Sequence, residues 1–250
     1  MVKSLFLRLA GMQSWSGVKL FSNDIANPDI PTKDGLLGLL SSCLGVYDQD
    51  FGVPIPAGAL QERPHWLAQT RLWVRIDKPG ELGIDYQIVG APPPGHMVWV
   101  DRQYEFERAG KLPTAGTNLG RDLRGVDGKG NPVTGAHAIM KKKFLSDAEF
   151  IVGIEHETRL SELIAAVSTP EFATFLGRKQ YGPTFPFVLG ASSKSVLEIF
   201  HEMPVASNTV GCREVEFREI TDRDAEIKWV TVRGESKKEV RAWQQEQLRR

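Results

Sequence analysis

The chain has 250 residues, 41% of them hydrophobic, with 31 basic side chains against 31 acidic ones and two cysteines. That length holds one large domain or two small ones with a real core, and zero formal charge excludes a global field drawing the protein onto nucleic acid or an anionic membrane, so any basic site is local. Cys43 and Cys212 make neither a disulfide framework nor a zinc pattern; no apolar run is long enough to span a membrane, and the start MVKSLFLRLAG is too short and alternating for a signal peptide, so the expected location is the cytoplasm.

Residues 2–9 alternate, with Leu5, Leu7 and Leu9 on one face and Ser4, Phe6 and Arg8 on the other, the pattern of a half-buried strand. The Phe6–Arg8 face either meets a second layer of protein or stacks and pairs with a nucleotide. Residues 11–29 form a loop that carries Gln13 and Trp15; the tryptophan either plugs the side of the core or offers a flat surface to a base.

Residues 31–45, PTKDGLLGLLSSCLG, read as a buried helix. Thr32 suits the N-cap, Asp34 the first turn and Gly45 the stop, while Leu36, Leu37, Leu39, Leu40, Cys43 and Leu44 leave almost no polar side. Gly35 and Gly38 each lower helix propensity by roughly 1 kcal/mol, which points to a close approach by a strand or a ligand. With Lys33 beside the free N–H groups, this helix start suits a phosphate as well as tight packing on a sheet.

Residues 47–64 read as a surface connection, and residues 68–77 and 83–89 as a hairpin turning at Pro79 and Gly80. From Gly90 to Lys143 periodicity fails. Residues 101–143 hold nine basic side chains against five acidic and end in Lys141, Lys142 and Lys143, directly before an expected strand. Such an excursion is either a solvated loop or a surface for nucleic-acid backbone and bases together. Residues 144–154 then read as a strand and 160–167 as a short helix ended by Thr169 and Pro170. In the loop 176–186, Arg178 and Lys179 precede Tyr181 and Gly182, a composition suited to a phosphate or to plain solvation.

Residues 185–189 with 196–200 supply a last apolar segment, which completes a βαββαβ order. The expected class is therefore α+β: a ferredoxin-like, RRM-like domain over residues 1–200 with the excursion at about 90–143 inserted in it, and a small C-terminal β extension over 201–250. That extension comprises strands at 215–220 and 225–232 and a polar helix anchored only by Val240, Trp243 and Leu248.

Four blocks, LFLRLAGMQSW, IPTKDGLLGLLSSCLG, FLSDAEFIVGI and FLGRKQYGPTFPFVLG, occur in an order and spacing that resembles the CasD subunit family of type I-E CRISPR Cascade complexes, a branch of the RAMP superfamily. The resemblance implies an RNA-binding subunit whose palm and inserted thumb hold the 5′ handle of the CRISPR RNA. It also implies that the subunit caps the filament of backbone subunits, touches the large subunit and meets target DNA only indirectly, with no cofactor. Carried onto this chain, handle contacts fall on Gln13, Trp15, Lys33, Gly35, Arg121, Arg124, Lys141, Lys142, Lys143, Arg178 and Lys179.

A related type I-C branch implies a second chemistry, metal-independent cleavage of repeat RNA through a tyrosine, a lysine and a histidine. Tyr47, Lys142 and His137 supply those types: a base for the 2′ hydroxyl, a cation for the phosphorane and an acid for the leaving oxygen. No fixed spacing links them, and Asp48 and Asp50 beside Tyr47 repel a phosphate, so the expectation is binding without turnover. Glu155, His156 and Glu157 are the only metal-like cluster, and neighbouring strand residues point to opposite faces, so no metal is expected there.

Overall fold

The computed structural model describes residues 2–15, 24–25, 27–46, 62–90, 137–208, 211–221 and 227–248. In chain order the elements are β1 (Ser4–Gln13), β2 (Asp24–Ile25), α1 (Lys33–Cys43), a 3₁₀ turn (His65–Gln69), β3 (Arg71–Lys78), β4 (Glu81–Gly90) and β5 (His137–Glu155). They continue with α2 (Leu160–Ser168), β6 (Val188–Ser192), α3 (Val196–Glu202), β7 (Val205–Ala206), β8 (Gly211–Glu219), β9 (Lys228–Glu235) and α4 (Lys237–Gln247). The fold is mixed α+β. No helix among the described residues is long and apolar enough to cross a membrane. Two compact units divide the chain: residues 1–16, 28–82 and 145–250 form the first, and 17–27 with 83–144 the second.

In the first unit the strand order is β6–β1–β5–β3–β8–β9–β7. β1 runs antiparallel to both β5 and β6, β3 antiparallel to β5 and β8, and β8 antiparallel to β9. Strand alternation sends Leu5, Leu7 and Leu9 to one face of β1 and Phe6 to the other, and all four are buried. On the first side α2 packs on α1 and on β1. On the other, Phe6, Trp73 and Ile151 of the sheet meet Val196, Ile199 and Phe200 of α3 together with Val215, Phe217, Val230, Val232 and Leu248. Gly153, paired with Phe6 across the strands, makes room for this layer, since a Cβ there would lie 2.3 Å from Val196.

Arg75 is wholly enclosed in this layer. Its guanidinium donates to both carboxylate oxygens of Asp77 at 2.7 and 2.9 Å, and to the carbonyls of Phe200 and Met203 at 3.2 and 2.7 Å, which closes the C-terminal end of α3. Burial pushes the Asp77 carboxyl up, and the Arg75 charge opposes that shift.

Four expectations change. β3 and β4 do not pair with each other; each pairs with β5. Gly80, at φ +80°, packs instead on β5, where an added Cβ would lie 2.6 Å from the Ser146 carbonyl oxygen. β5 begins at His137, so Lys141 to Lys143 lie within a strand rather than before one. Residues 196–200 are helical, not extended: the Ser195 hydroxyl accepts from the Glu198 N–H while the Glu198 carboxylate accepts from the Ser195 N–H at 2.7 Å, a reciprocal cap. Finally β8 and β9 extend the main sheet through β3 rather than forming a small sheet of their own, so a boundary at residue 200 separates no cores.

Candidate nucleic-acid interface

The helix start is built as its sequence dictates, with one surprise in what approaches it. The Thr32 hydroxyl accepts from the Gly35 N–H at 3.2 Å and donates to the Trp15 carbonyl at 3.3 Å. At the other end Gly45, at φ +79°, closes α1: its N–H reaches the Ser42 carbonyl at 3.2 Å and the Val46 N–H reaches Ser41 at 2.9 Å, a Schellman motif. The visitor at Gly35 is the Trp15 indole, since an added Cβ would lie 2.8 Å from its Cε3. Trp15 is 3% exposed and its indole N–H donates to Gln13 Oε1 at 3.0 Å; Gln13, itself fully buried, donates to the carbonyls of Leu9 and Ala148. Gln13, Trp15 and Gly35 thus come together as internal packing that sets the position of the helix start, and the indole presents no open face to a base. Lys33, by contrast, is only half-buried.

The glycine loop docks on the same place. The Ser14 N–H donates to the Leu176 carbonyl at 3.0 Å, and Gly177, at φ +89°, lies so close that a Cβ would fall 1.6 Å from the Ser14 carbonyl oxygen. Inside the loop the Leu176 N–H reaches Tyr181 O at 2.7 Å and the Tyr181 N–H reaches Arg178 O at 2.9 Å. Further along, Thr184 N–H bonds Ala10 O at 3.1 Å, and Arg8 N–H bonds Phe187 O at 2.7 Å. The loop is therefore strapped to the last half of β1. Arg178 lies over the Tyr181 ring at 6.0 Å, and Lys179 is exposed. Lys33, Arg178 and Lys179 accordingly flank one junction, where β1 ends, α1 begins and the loop turns.

In the second unit, Lys141 and Lys142 pair with Asp24 and Ile25 of β2, and the exposed Lys141 ammonium lies 5.8 Å from the Tyr86 ring. Lys142 and Lys143 are half-buried. Tyr86, 61% exposed beside Lys141, is not one of the residues that the sequence singles out; the signal was the alternation of Ile84 and Tyr86 along β4. Arg121, Arg124 and Tyr47 lie outside the described residues. His137 opens β5, five residues before Lys142.

The remaining candidates are occupied by structure. Phe6 packs on Phe200 with ring centroids 6.2 Å apart, and Arg8 donates to Glu149 at 2.6 Å and Thr184 at 3.2 Å, so that face meets protein. His156 Nδ1 accepts from the N–H groups of Thr158 and Arg159 at 3.2 and 3.1 Å, which leaves Nε2–H to donate to the Trp66 carbonyl at 3.1 Å. Glu155 bonds the Val196 N–H at 2.9 Å. Burial pushes the Cys43 thiol up to about 12, which makes it a core hydrophobe.

The family described as CRISPR-associated protein (Cas_Cas5) matches residues 4–243, nearly the whole chain. The chain belongs to the Cas5 family. Within the curated proteins this Cas5 chain is 32% identical, over 200 residues, to the CRISPR system Cascade subunit CasD of Escherichia coli (strain K12), covering 76% of this chain and 72% of that protein. Its fold resembles a chain titled CRISPR RNA-guided surveillance complex, with a TM-score of 0.63 at 17% identity over 98% of this chain and 100% of the other. A second likeness, titled crystal structure of Cas protein, has a TM-score of 0.53 at 21% identity over 92% and 95%. The resemblance carried by the four sequence blocks is borne out.

Proposed function

We propose that this Cas5 chain is the subunit of a Cascade-type surveillance complex that holds the 5′ handle of the CRISPR RNA, binding it without cutting it. One observation carries the reading: the basic glycine loop is strapped to the end of β1 beside the capped start of α1, with Lys33, Arg178 and Lys179 around the junction. Backbone phosphates suit such a place, because a helix N-terminus and three basic side chains converge on it. Gln13, Trp15 and Gly35 serve by shaping the helix start, and Lys141 to Lys143 form a second phosphate-binding stretch on β5, at the root of a thumb that includes Arg121 and Arg124.

The palm of this reading is ferredoxin-like. β1, α1, β3, β5, α2 and β6 follow the βαββαβ order, and the strand order β6–β1–β5–β3, antiparallel throughout, is that of a split βαβ sheet. In this reading the protein is cytoplasmic, and its other faces meet the backbone and large subunits, which suits a neutral overall charge.

The test is to incubate the purified chain with EDTA and repeat RNA from its own locus, and to run native and denaturing gels side by side. A shifted, intact RNA is expected. Changing Lys33, Arg178 and Lys179 singly to Ala should weaken binding at every handle sequence and lower the salt slope by about 0.7 for each phosphate left without its cation. Unchanged affinity and slope would remove those positions from the site. A discrete RNA product, lost on Tyr47→Phe or His137→Ala, would make the chain a processing nuclease instead.

A further inference from the structure

The C-terminal helix α4 has no part in the junction just described, yet it walls a cleft of about 110 Å³ together with Phe185, Pro186 and Leu189. Phe185 is 85% exposed, more than any other large apolar side chain among the described residues. It does not sit on a loose loop. Its neighbour Thr184 is held by its N–H on the Ala10 carbonyl and by its hydroxyl, which accepts from Arg8, and Phe187 O accepts from the Arg8 N–H.

From the opposite wall α4 supplies Arg241, Gln244 and Gln245. Among the described residues, neither the Arg241 guanidinium nor the Gln245 amide has a hydrogen-bond or ion-pair partner. Gln244 is 7% exposed, and among the described residues its amide N–H groups find only the Met203 sulfur, at 3.8 Å.

The walls decide what fits. A phosphate gains nothing from a phenyl ring, a proline and a leucine. An aliphatic side chain would strand a guanidinium and two amides away from water, which is unfavourable. A planar heteroaromatic ring, apolar on its faces and studded with donors and acceptors at its edge, satisfies both walls. Single-stranded RNA offers such rings when bases are splayed out and stacked on aromatic side chains. Lys179 and Phe185 are six residues apart, at most about 21 Å along the chain, so one short strand can touch both.

We propose that this cleft takes one unstacked nucleobase, stacked on Phe185 and read at its edge by Arg241 and Gln245, which gives the C-terminal extension a direct part in RNA recognition. The proposal rests on the RNA-binding reading above. To test it, the full-length chain is bound to its own repeat RNA and irradiated with short-wave ultraviolet light, and the crosslinked peptide is identified by mass spectrometry. A crosslink is expected at one nucleotide on the peptide carrying Phe185.

Phe185→Ala should abolish that crosslink and weaken binding about 5- to 150-fold at an unchanged salt slope, with Phe185→Trp retaining both. Arg241→Ala and Gln245→Ala should weaken binding to one base identity more than to the others. Both positions are exposed, so an unchanged circular dichroism spectrum would exclude misfolding. Wild-type affinity in Phe185→Ala with no crosslink at that peptide, while the Lys33 and Arg178 variants still lose RNA, would overturn the cleft and leave the handle reading standing. Absence of any RNA binding by the parent chain would overturn both.

Discussion

Gly35 and Gly38 lie one turn apart on α1 and have opposite surroundings. A Cβ at Gly35 would meet the Trp15 ring at 2.8 Å and the Thr32 hydroxyl at 3.0 Å, while one at Gly38 has nothing within 4 Å. The indole cannot step aside, because it is buried and tied to Gln13. Gly35→Ala should therefore destabilise the protein by about 1–3 kcal/mol through overpacking. Gly38→Ala should stabilise it by up to about 1 kcal/mol through helix propensity. Urea denaturation of the two variants checks both signs, and equal effects would mean that Trp15 does not set the helix start. The glycine notch was legible in the sequence, but its occupant was not. Trp15 is 20 residues away in a loop without periodicity, and only the docked structure shows that it fills the space a phosphate was expected to reach.

At the scale of elements, the strongly periodic segments were readable and the short apolar ones were not. The alternation of β1, the leucines of α1 and the run 144–154 all became the elements their patterns imply. VLEIF at 196–200 fits either period, and the deciding signal was Ser195 three residues before Glu198, a capping box that precedes an apolar run. The same device starts α4, where the Ser236 hydroxyl and then its backbone N–H hold the Glu239 carboxyl below the usual glutamate range. A depressed carboxylate stabilises the fold above the unfolded-state value of about 4.3, and that contribution disappears as the pH falls through the lower folded value. Gln in this position keeps the reciprocal bonds but does not titrate. Glu239→Gln should thus melt below the parent at about pH 6, with the gap closing towards about pH 3; a gap independent of pH would show that the Glu239 charge contributes nothing to α4.

For the whole molecule, the decisive fact is that the C-terminal strands belong to the main sheet and its core. β8 pairs with β3 through Trp73, Val74 and Arg75, and Val215, Phe217, Val230, Val232 and Leu248 pack with Phe6, Trp73, Ile151 and Phe200. This was not legible, because nothing in the strand patterns of 215–220 and 225–232 says which edge they join, and pairing over about 140 residues is decided by tertiary contacts. Its consequence can be measured. Ending the chain at residue 208 removes those five side chains, each worth about 1.5–3 kcal/mol when buried, or roughly 7–15 kcal/mol as an upper bound. A domain of this kind has about 5–15 kcal/mol in total. The truncation also bares the β3 edge and opens the layer around Arg75, whose charge depends on enclosure by the Phe200 and Met203 carbonyls. The shortened chain should therefore accumulate as insoluble protein or unfold without a cooperative transition. A soluble 1–208 fragment with a two-state urea curve would mean instead that the elements from β1 to β7 close a core alone, with the C-terminal strands an accessory to it.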